Sequence, residues 1–137
     1  MNHRLFYLLN AAHHKVHKYA DQRTEAELGI SITQLGALLN INEQQGCLLK
    51  ELAEVLNLNN SALTGLANRM EKNGLIKRQT CEHDGRASRL YLTALGQKKV
   101  DVALPAIKQL NQAIKGDFSD AEILVIVKFL THLQHSF

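Results

Sequence analysis

The stretch HDGRASRLYLTALG, His83–Gly96, determines which fold we expect, because an acid, a glycine and two arginines precede an alternating apolar run. Asp84 readily accepts local backbone hydrogen bonds and Gly85 tolerates positive φ, so the pair predicts a tight turn. Strand-like alternation precedes this turn in LIKRQT and follows it in SRLYLT. The stretch therefore predicts a β-hairpin with Arg86 at its tip.

Two short helices joined by a turn precede this hairpin. Apolar residues recur at helical spacing from Leu49 to Leu56 and again from Leu63 to Met70, and the turn-forming NLNN lies between them. Asn73 and Gly74 close the second helix, and an apolar Leu75 after the glycine favours a Schellman ending. The pattern predicts a helix-turn-helix.

Longer helices flank this central part. Residues 2 to about 28 predict one helix that Gly29 ends, and Ser31 is a suitable N-cap for a second helix that fades in NEQQG. Residues 94 to about 115 predict another helix, which Pro105 is expected to kink, and a last helix follows. We therefore expect a mainly α protein, a winged helix-turn-helix with a small β-hairpin wing between terminal helices.

Composition indicates a globular protein that resides in the cytoplasm. Of 137 residues, 45% are hydrophobic and 21% charged, and the net charge of +3 is compatible with binding a polyanion. Two cysteines make no disulfide framework and fit a reducing compartment. We find no secretory signal and no run near the roughly 20 apolar residues of a membrane-spanning helix.

The second helix of the helix-turn-helix separates an apolar face from a polar one. In this motif the second helix enters the major groove of DNA and presents side chains to base edges. Asn68 is suited to pair with adenine, Arg69 with guanine or a phosphate, and Ser61 with a phosphate or a base edge. Either Asn59 or Asn60 can be the N-cap of this helix. The candidate DNA contacts on it are Asn59, Asn60, Ser61, Thr64, Asn68, Arg69 and Lys72.

The hairpin adds a second group of candidate DNA contacts. A wing beside a recognition helix can place a cation in the adjacent minor groove, where arginine is favoured, and Arg86 is suited to this role. Asp84 can pin Arg78 or Arg86, and residues 68–93 hold six basic against three acidic residues. The candidate contacts in the wing are Arg78, Asp84, Arg86 and Arg89.

DGRASRLYLTALG, residues 84–96, resembles the D-x-R-x-x-x-x-x-L-T-x-x-G signature of the MarR family of bacterial regulators, and residues 49–78 resemble that family's helix-turn-helix. The resemblance implies a homodimer whose first and last two helices intertwine and whose recognition helices bind palindromic double-stranded DNA. It also implies an effector site between the dimerisation and DNA-binding parts. Gly65 stands where many relatives carry a basic residue, and Cys81-Glu82 where Asp-Pro is common.

The terminal helices are expected to form the dimer. Their apolar stripes exceed what one small winged domain can cover, so we expect a homodimer. We expect one domain over residues 1–137, with residues 1–30 and 94–137 as dimerisation helices and residues 31–93 as the DNA-binding lobe. The stripes consist of Leu5, Leu8, Ala12 and Val16, and of Ile123, Val127, Leu130 and Leu133.

We expect a repressor that a small aromatic or anionic effector such as salicylate relieves. The expected crevice is lined by apolar residues of the first helix and by Lys77 and Arg78. Few ties are expected between the lobe and the dimerisation helices, so an effector can change the spacing of the recognition helices, which a palindrome fixes at about 34 to 36 Å.

Other functions have weaker support. His13 and His17 share a helical face beside His14 and could bind zinc, and Cys47, in a polar loop, or Cys81 could sense oxidants. A protein-interaction module that has lost DNA binding is a further alternative, which the glycine at position 65 and the modest charge favour. The sequence has no phosphate-binding glycine loop, no G-x-S-x-G and no H-E-x-x-H, so we expect neither an enzyme nor a cofactor.

Overall fold

The computed structural model describes residues 4–80 and 87–137. Asp84 and Arg86, the predicted turn and wing tip, therefore lie outside the described residues. The elements in the described part are α1 (Leu5–Leu28), α2 (Ile32–Glu43), β1 (Cys47–Leu48), α3 (Leu49–Leu56), α4 (Asn60–Lys72), β2 (Ile76–Thr80), β3 (Ser88–Leu92), α5 (Ala94–Lys115) and α6 (Asp120–Gln134). The mainly α class with a winged helix-turn-helix is confirmed.

The strands form an antiparallel sheet in the order β1-β3-β2. The predicted pairing of the two hairpin strands is confirmed, with Arg78 opposite Leu90. β1 was not predicted, and it pairs Cys47 with Leu90 on the other side of β3. The expectation that Cys47 lies in a polar loop was therefore wrong, because its side chain is buried against this sheet.

Local sequence signals explain where the first two helices end and begin. Gly29 adopts φ +70° after α1, and its N–H donates to Glu25 O. Ser31 is the N-cap of α2, where its Oγ accepts from Gln34 N at 3.1 Å and the Gln34 side chain accepts from Ser31 N at 3.2 Å. This reciprocal capping box satisfies two N–H groups that the helix leaves without partners.

The caps of α4 also follow the sequence. Asn59, rather than Asn60, is the N-cap. At the other end Leu75 N donates to Met70 O at 2.9 Å and Gly74 N donates to Glu71 O at 3.0 Å. With Gly74 at φ +75°, this is the predicted Schellman ending.

The core lies under the helix-turn-helix. Its largest fully buried side chains are Leu35, Leu38, Ile41, Leu63, Met70 and Leu90. α1 adds Ala20, Thr24 and Leu28 from its second half, whereas its first half is exposed. The core therefore holds α4 by its apolar face.

The chain divides into two compact units, one that runs to Ala106 and one from Ile107 to Phe137. In the second unit, Ser119 forms a capping box with Glu122 at the start of α6. Lys115 also pairs with Asp120 there. α6 contains no buried residue. Across the described residues, no helix is long and apolar enough to cross a membrane.

Candidate nucleic-acid interface

α4 presents a polar face to solvent. Leu63, Leu66, Ala67 and Met70 are buried, and the separation of faces that the sequence predicted is confirmed. On the other side, the exposed candidates are Asn60, Ser61, Thr64, Asn68, Arg69 and Lys72. Below, "polar face of α4" means these residues together with the N-cap Asn59.

Two side chains of the polar face bond to the backbone of the helix itself. Asn59 Oδ1 accepts from Ala62 N at 2.7 Å, which is the N-cap bond. Thr64 Oγ1 donates to Asn60 O at 2.7 Å, one turn earlier. These bonds use the Asn59 oxygen as an acceptor and the Thr64 hydroxyl hydrogen as a donor.

The Arg78 side chain contacts α4. From β2, its Nη2 donates to Asn68 Oδ1, and its Nε lies 3.7 Å from Glu71 Oε1. Arg78 is therefore held over the polar face, and the structure does not direct it to α1, where the predicted crevice had placed it. Whether Asp84 pins Arg78 or Arg86 falls outside the described residues.

Arg69 lies along the helix above Gly65. A Cβ built at Gly65 would be 3.4 Å from Arg69 Nη1. Long side chains of a helix point towards its N-terminus, so Arg69 covers the turn that contains position 65. The Arg69 guanidinium therefore occupies the space beside Gly65, which has no side chain.

Arg89 is turned to the other edge of the sheet. Its Nη1 donates to Gly46 O at 2.8 Å, in the segment just before β1. The neighbouring Gln45 Oε1 accepts from Leu92 N at 3.0 Å. Arg89 thus holds the segment before α3 against β3, a role that the sequence analysis missed because the two residues are far apart in the chain.

Thr93 and Gly96 join the end of α4 to the start of α5. Thr93 Oγ1 donates to Gly74 O and accepts from Gly96 N at 3.0 Å, and Thr93 N donates to Leu75 O at 3.1 Å. A Cβ at Gly96 would lie 2.1 Å from Leu75 O, so only glycine permits this approach. The L-T-x-x-G part of the signature therefore has a structural explanation, which we call the Thr93–Gly96 junction.

α1 is tied to its neighbours within the first unit. Ile32 N donates to Asp21 Oδ1 at 2.9 Å, and Lys99 Nζ donates to Leu28 O at 2.6 Å. The Lys99 bond joins two of the expected dimerisation helices, whereas the Asp21 bond and the Thr93–Gly96 junction tie the lobe to them, so the expectation of few ties between the lobe and the dimerisation helices was wrong.

The residues of the alternative sensor functions are two cysteines and a pair of histidines. Burial raises the pKa of the Cys47 thiol, and the nearby Glu51 charge raises it further, so this thiol carries little thiolate at neutral pH. Cys81 lies outside the described residues. The rings of His13 and His17 lie 5.8 Å apart and are tilted by 42°, but within residues 4–80 and 87–137 no group of three His, Cys, Asp or Glu is placed to hold a metal.

The α3–α4 pair beside the β2–β3 pair defines a winged helix-turn-helix protein. A sequence profile of the MarR family matches residues 30–88. The transcriptional activatory protein BadR of Rhodopseudomonas palustris is 31% identical over 131 residues, which cover 93% of this chain and 74% of BadR. The chain belongs to the MarR family, whose members are transcriptional regulators and not enzymes.

Solved structures share the fold. Bordetella bronchiseptica BpsR, whose DNA binding is regulated by 6-hydroxynicotinic acid, superposes with a TM-score of 0.87 at 22% identity, covering 96% of this chain and 98% of BpsR. The S. aureus MepR–DNA complex gives a TM-score of 0.87 at 23% identity, with 99% and 98% coverage.

Proposed function

We propose that the chain is a sequence-specific repressor that binds a palindromic operator in double-stranded DNA. The observation that carries this proposal is the polar face of α4, which is exposed beside the winged sheet while the opposite face is fixed in the core. MepR, which shares the fold, is solved in complex with DNA. The residues we assign to DNA contact are Asn59, Asn60, Ser61, Thr64, Asn68, Arg69, Lys72, Arg78, Asp84, Arg86 and Arg89.

A homodimer is part of this proposal. On α6, Leu124 is 70% exposed and Val125 66%, and on α1 Phe6 is 73% exposed. A helix that carries apolar residues over most of its circumference is normally covered. We propose that a second copy covers residues 1–30 and 94–137, while residues 31–93 form the DNA-binding lobe of this single-domain protein in the cytoplasm.

A small aromatic acid is the effector class we propose. BpsR responds to 6-hydroxynicotinic acid, which is an aromatic carboxylate. The cavity lined by Asn40, Gln44, Cys47, Glu51, Leu52 and Val55 is about 40 Å³, too small for a ring, since a benzene-sized cavity is about 150 Å³. A wider hollow of about 280 Å³ has Asp117 and Glu122 in its lining, which disfavour a carboxylate. Neither cavity suits the effector, so we propose that its site forms only with the second protomer and that the exposed Lys77 supplies a cation there.

Mobility-shift titration with DNA upstream of the gene, followed by footprinting, tests operator binding. Specific binding with two protected half-sites about one helical turn apart supports the proposal. Equal affinity for unrelated DNA contradicts it, and an absence of any DNA binding favours an interaction module. Arg86→Ala should reduce the slope of log affinity against log salt by about 1 per subunit, roughly 2 per dimer, because each subunit then releases about one counterion fewer.

Calorimetry tests the effector. Salicylate and 6-hydroxynicotinate are titrated into the protein with and without operator. An effector that weakens DNA binding about 5- to 150-fold must itself bind more weakly, by the same factor, in the presence of operator. Equal effector affinity in both titrations contradicts effector-controlled release.

Activation of transcription is a second candidate, because BadR is a transcriptional activatory protein. A reporter driven by the operator separates the two directions of control. Deletion of the gene raises expression from a repressed promoter and lowers it from an activated one.

A further inference from the structure

We propose that the polar face of α4 carries a fixed order of hydrogen-bond donors and acceptors, in which Asn68 selects guanine through its amide nitrogen. This inference rests on the proposed function, because it concerns the operator bases that α4 contacts. It follows from intramolecular bonds that already use part of the hydrogen-bonding capacity of Asn68 and Thr64.

Arg78 fixes the direction of the Asn68 amide. A guanidinium carries only donors, so the group of Asn68 that faces Arg78 Nη2 is the amide oxygen. Glu71 Oε1 lies 3.7 Å from Arg78 Nε, within ion-pair but not hydrogen-bond distance, and the Arg78 side chain is only 21% exposed. The amide nitrogen of Asn68, with its two N–H donors, therefore faces away from Arg78 on an exposed residue.

This direction changes which base Asn68 can recognise. An asparagine binds adenine by using its oxygen and nitrogen together. The Asn68 oxygen already accepts from a cation, so the nitrogen is the group available to a base, and it requires an acceptor. In the major groove guanine presents two adjacent acceptors, N7 and O6, whereas adenine presents one acceptor beside a donor, thymine one acceptor beside a methyl group, and cytosine a donor. A group that only donates therefore finds most acceptors on guanine. We therefore expect guanine, in place of the adenine that the sequence suggested.

Thr64 offers DNA a hydrogen-bond acceptor, whereas Asn68 offers donors. Its hydroxyl hydrogen is donated to Asn60 O at 2.7 Å, so the lone pairs of Oγ1 remain for an intermolecular donor. Thr64 lies one turn before Asn68, about 6 Å along the helix axis, and base pairs stack about 3.4 Å apart. Thr64 is therefore expected to contact a different base pair, one that presents the exocyclic amine of cytosine or adenine.

Selection from a randomised DNA library, with sequencing and titration of the selected sites, tests the Asn68 assignment. Asn68→Ala identifies the operator position, because the preference there should disappear. Wild type should prefer guanine over adenine at that position by roughly 3- to 10-fold, the range of one hydrogen bond. Arg78→Met should shift this ratio towards adenine, because the amide can then turn and use its oxygen and nitrogen together.

Two further variants make the result specific. Lys77→Met removes an equal charge from the same strand without touching Asn68, and it should keep the guanine preference. Asn68→Asp keeps a partner for Arg78 but offers only acceptors to the base, so the preference should change to cytosine. Thermal melting of all variants establishes that they are folded.

The outcomes separate the two proposals. Specific binding by wild type with no guanine preference at the Asn68 position, or with a preference that Arg78→Met leaves unchanged, overturns the inference and leaves the proposed function standing. An absence of any sequence-specific binding by wild type overturns the proposed function itself.

Discussion

Two helical glycines have opposite surroundings, and the difference can be measured. Gly65, in α4, faces the flexible end of Arg69, whereas Gly96, in α5, faces a backbone carbonyl. A helical glycine costs about 1 kcal/mol relative to alanine where nothing obstructs the added methyl group. The same substitution should therefore stabilise the protein at one position and destabilise it at the other.

Gly65→Ala is expected to raise the free energy of unfolding by about 0.5 to 1 kcal/mol. The new Cβ meets only Arg69 Nη1, at 3.4 Å, and the long arginine side chain can move aside. Urea unfolding followed by circular dichroism at fixed protein concentration measures the change. A loss of stability would show that Arg69 is held rigidly above position 65.

Gly96→Ala is expected to lower the free energy of unfolding by about 1 to 3 kcal/mol, the usual cost of overpacking. Its Cβ would lie 2.1 Å from Leu75 O, which is backbone that also accepts from Thr93 N. Neither rotamer change nor side-chain movement relieves this contact. The same urea titration measures it, and a stability equal to that of wild type would contradict the close approach at the Thr93–Gly96 junction.

The Cys47 thiol is expected to be unreactive in the folded protein. It is 5% exposed and its pKa is raised, so access and thiolate fraction are both low. In a Cys81→Ser background, a thiol-specific disulfide reagent at pH 7 should react slowly and become fast only in denaturant. Rapid reaction under native conditions would restore Cys47 as a candidate oxidant sensor.

Sequence reasoning at the residue scale succeeded where a residue acts on its own segment. Ser31, Gly74 and the exposed residues of α4 were predicted correctly, since capping and amphipathic spacing are local. For Asn68 the prediction of an adenine contact treated the side chain in isolation, without its bond to Arg78. Its partner Arg78 comes from another element, and no local pattern shows which strand residue faces which helix residue.

At the scale of elements, the helices were predicted well and one strand was missed. β1 has only two residues, Cys47 and Leu48, which is too short for an alternating pattern to appear. It exists because the edge of β3 pairs with it and because Arg89 holds the preceding segment at Gly46. Tertiary contacts, which the sequence does not show, therefore create this element.

The start of α6 is expected to weaken in acid. Hydrogen bonds from the backbone and the hydroxyl of Ser119 lower the pKa of Glu122, and pairing with Lys115 lowers the pKa of Asp120. A carboxyl whose pKa is lower in the folded state gives stability that is present above its unfolded value, about 4, and is lost as the pH falls through the folded value.

Glu122→Gln separates the capping box from its charge. Glutamine also completes a capping box, so this variant should keep the helical chemical shifts of residues 119–123 to lower pH than wild type does. NMR titration from pH 6 to pH 2 measures both proteins. Identical loss of helical shifts in the two proteins would mean that the Glu122 carboxylate does not hold this helix end.

At the scale of the whole molecule, the terminal helices expose apolar side chains that the proposed dimer would cover. In solution at micromolar concentration we expect a stable mass of two chains by light scattering. Val127→Asp should dissociate or aggregate the protein, because Val127 is 52% exposed on α6 within the proposed dimer surface. Val55→Asp is the matched control, since Val55 is 60% exposed but lies on α3, in the proposed DNA-binding lobe.

A stable and fully helical monomer of wild type would contradict the dimer. It would also remove the basis for a palindromic operator, since one lobe binds one half-site. Dissociation by both aspartate variants would place the covering surface on α3 as well, outside the residues that we assign to it.

The Thr93–Gly96 junction has a mechanical consequence. The hydrogen bonds and the close backbone approach join the last turn of α4 to the first turn of α5 without a flexible linker. We therefore expect a tilt of the first turns of α5 to move α4 with it. Under the proposed function, a signal that reaches α5 would then change the orientation of α4 without any rearrangement inside the helix-turn-helix.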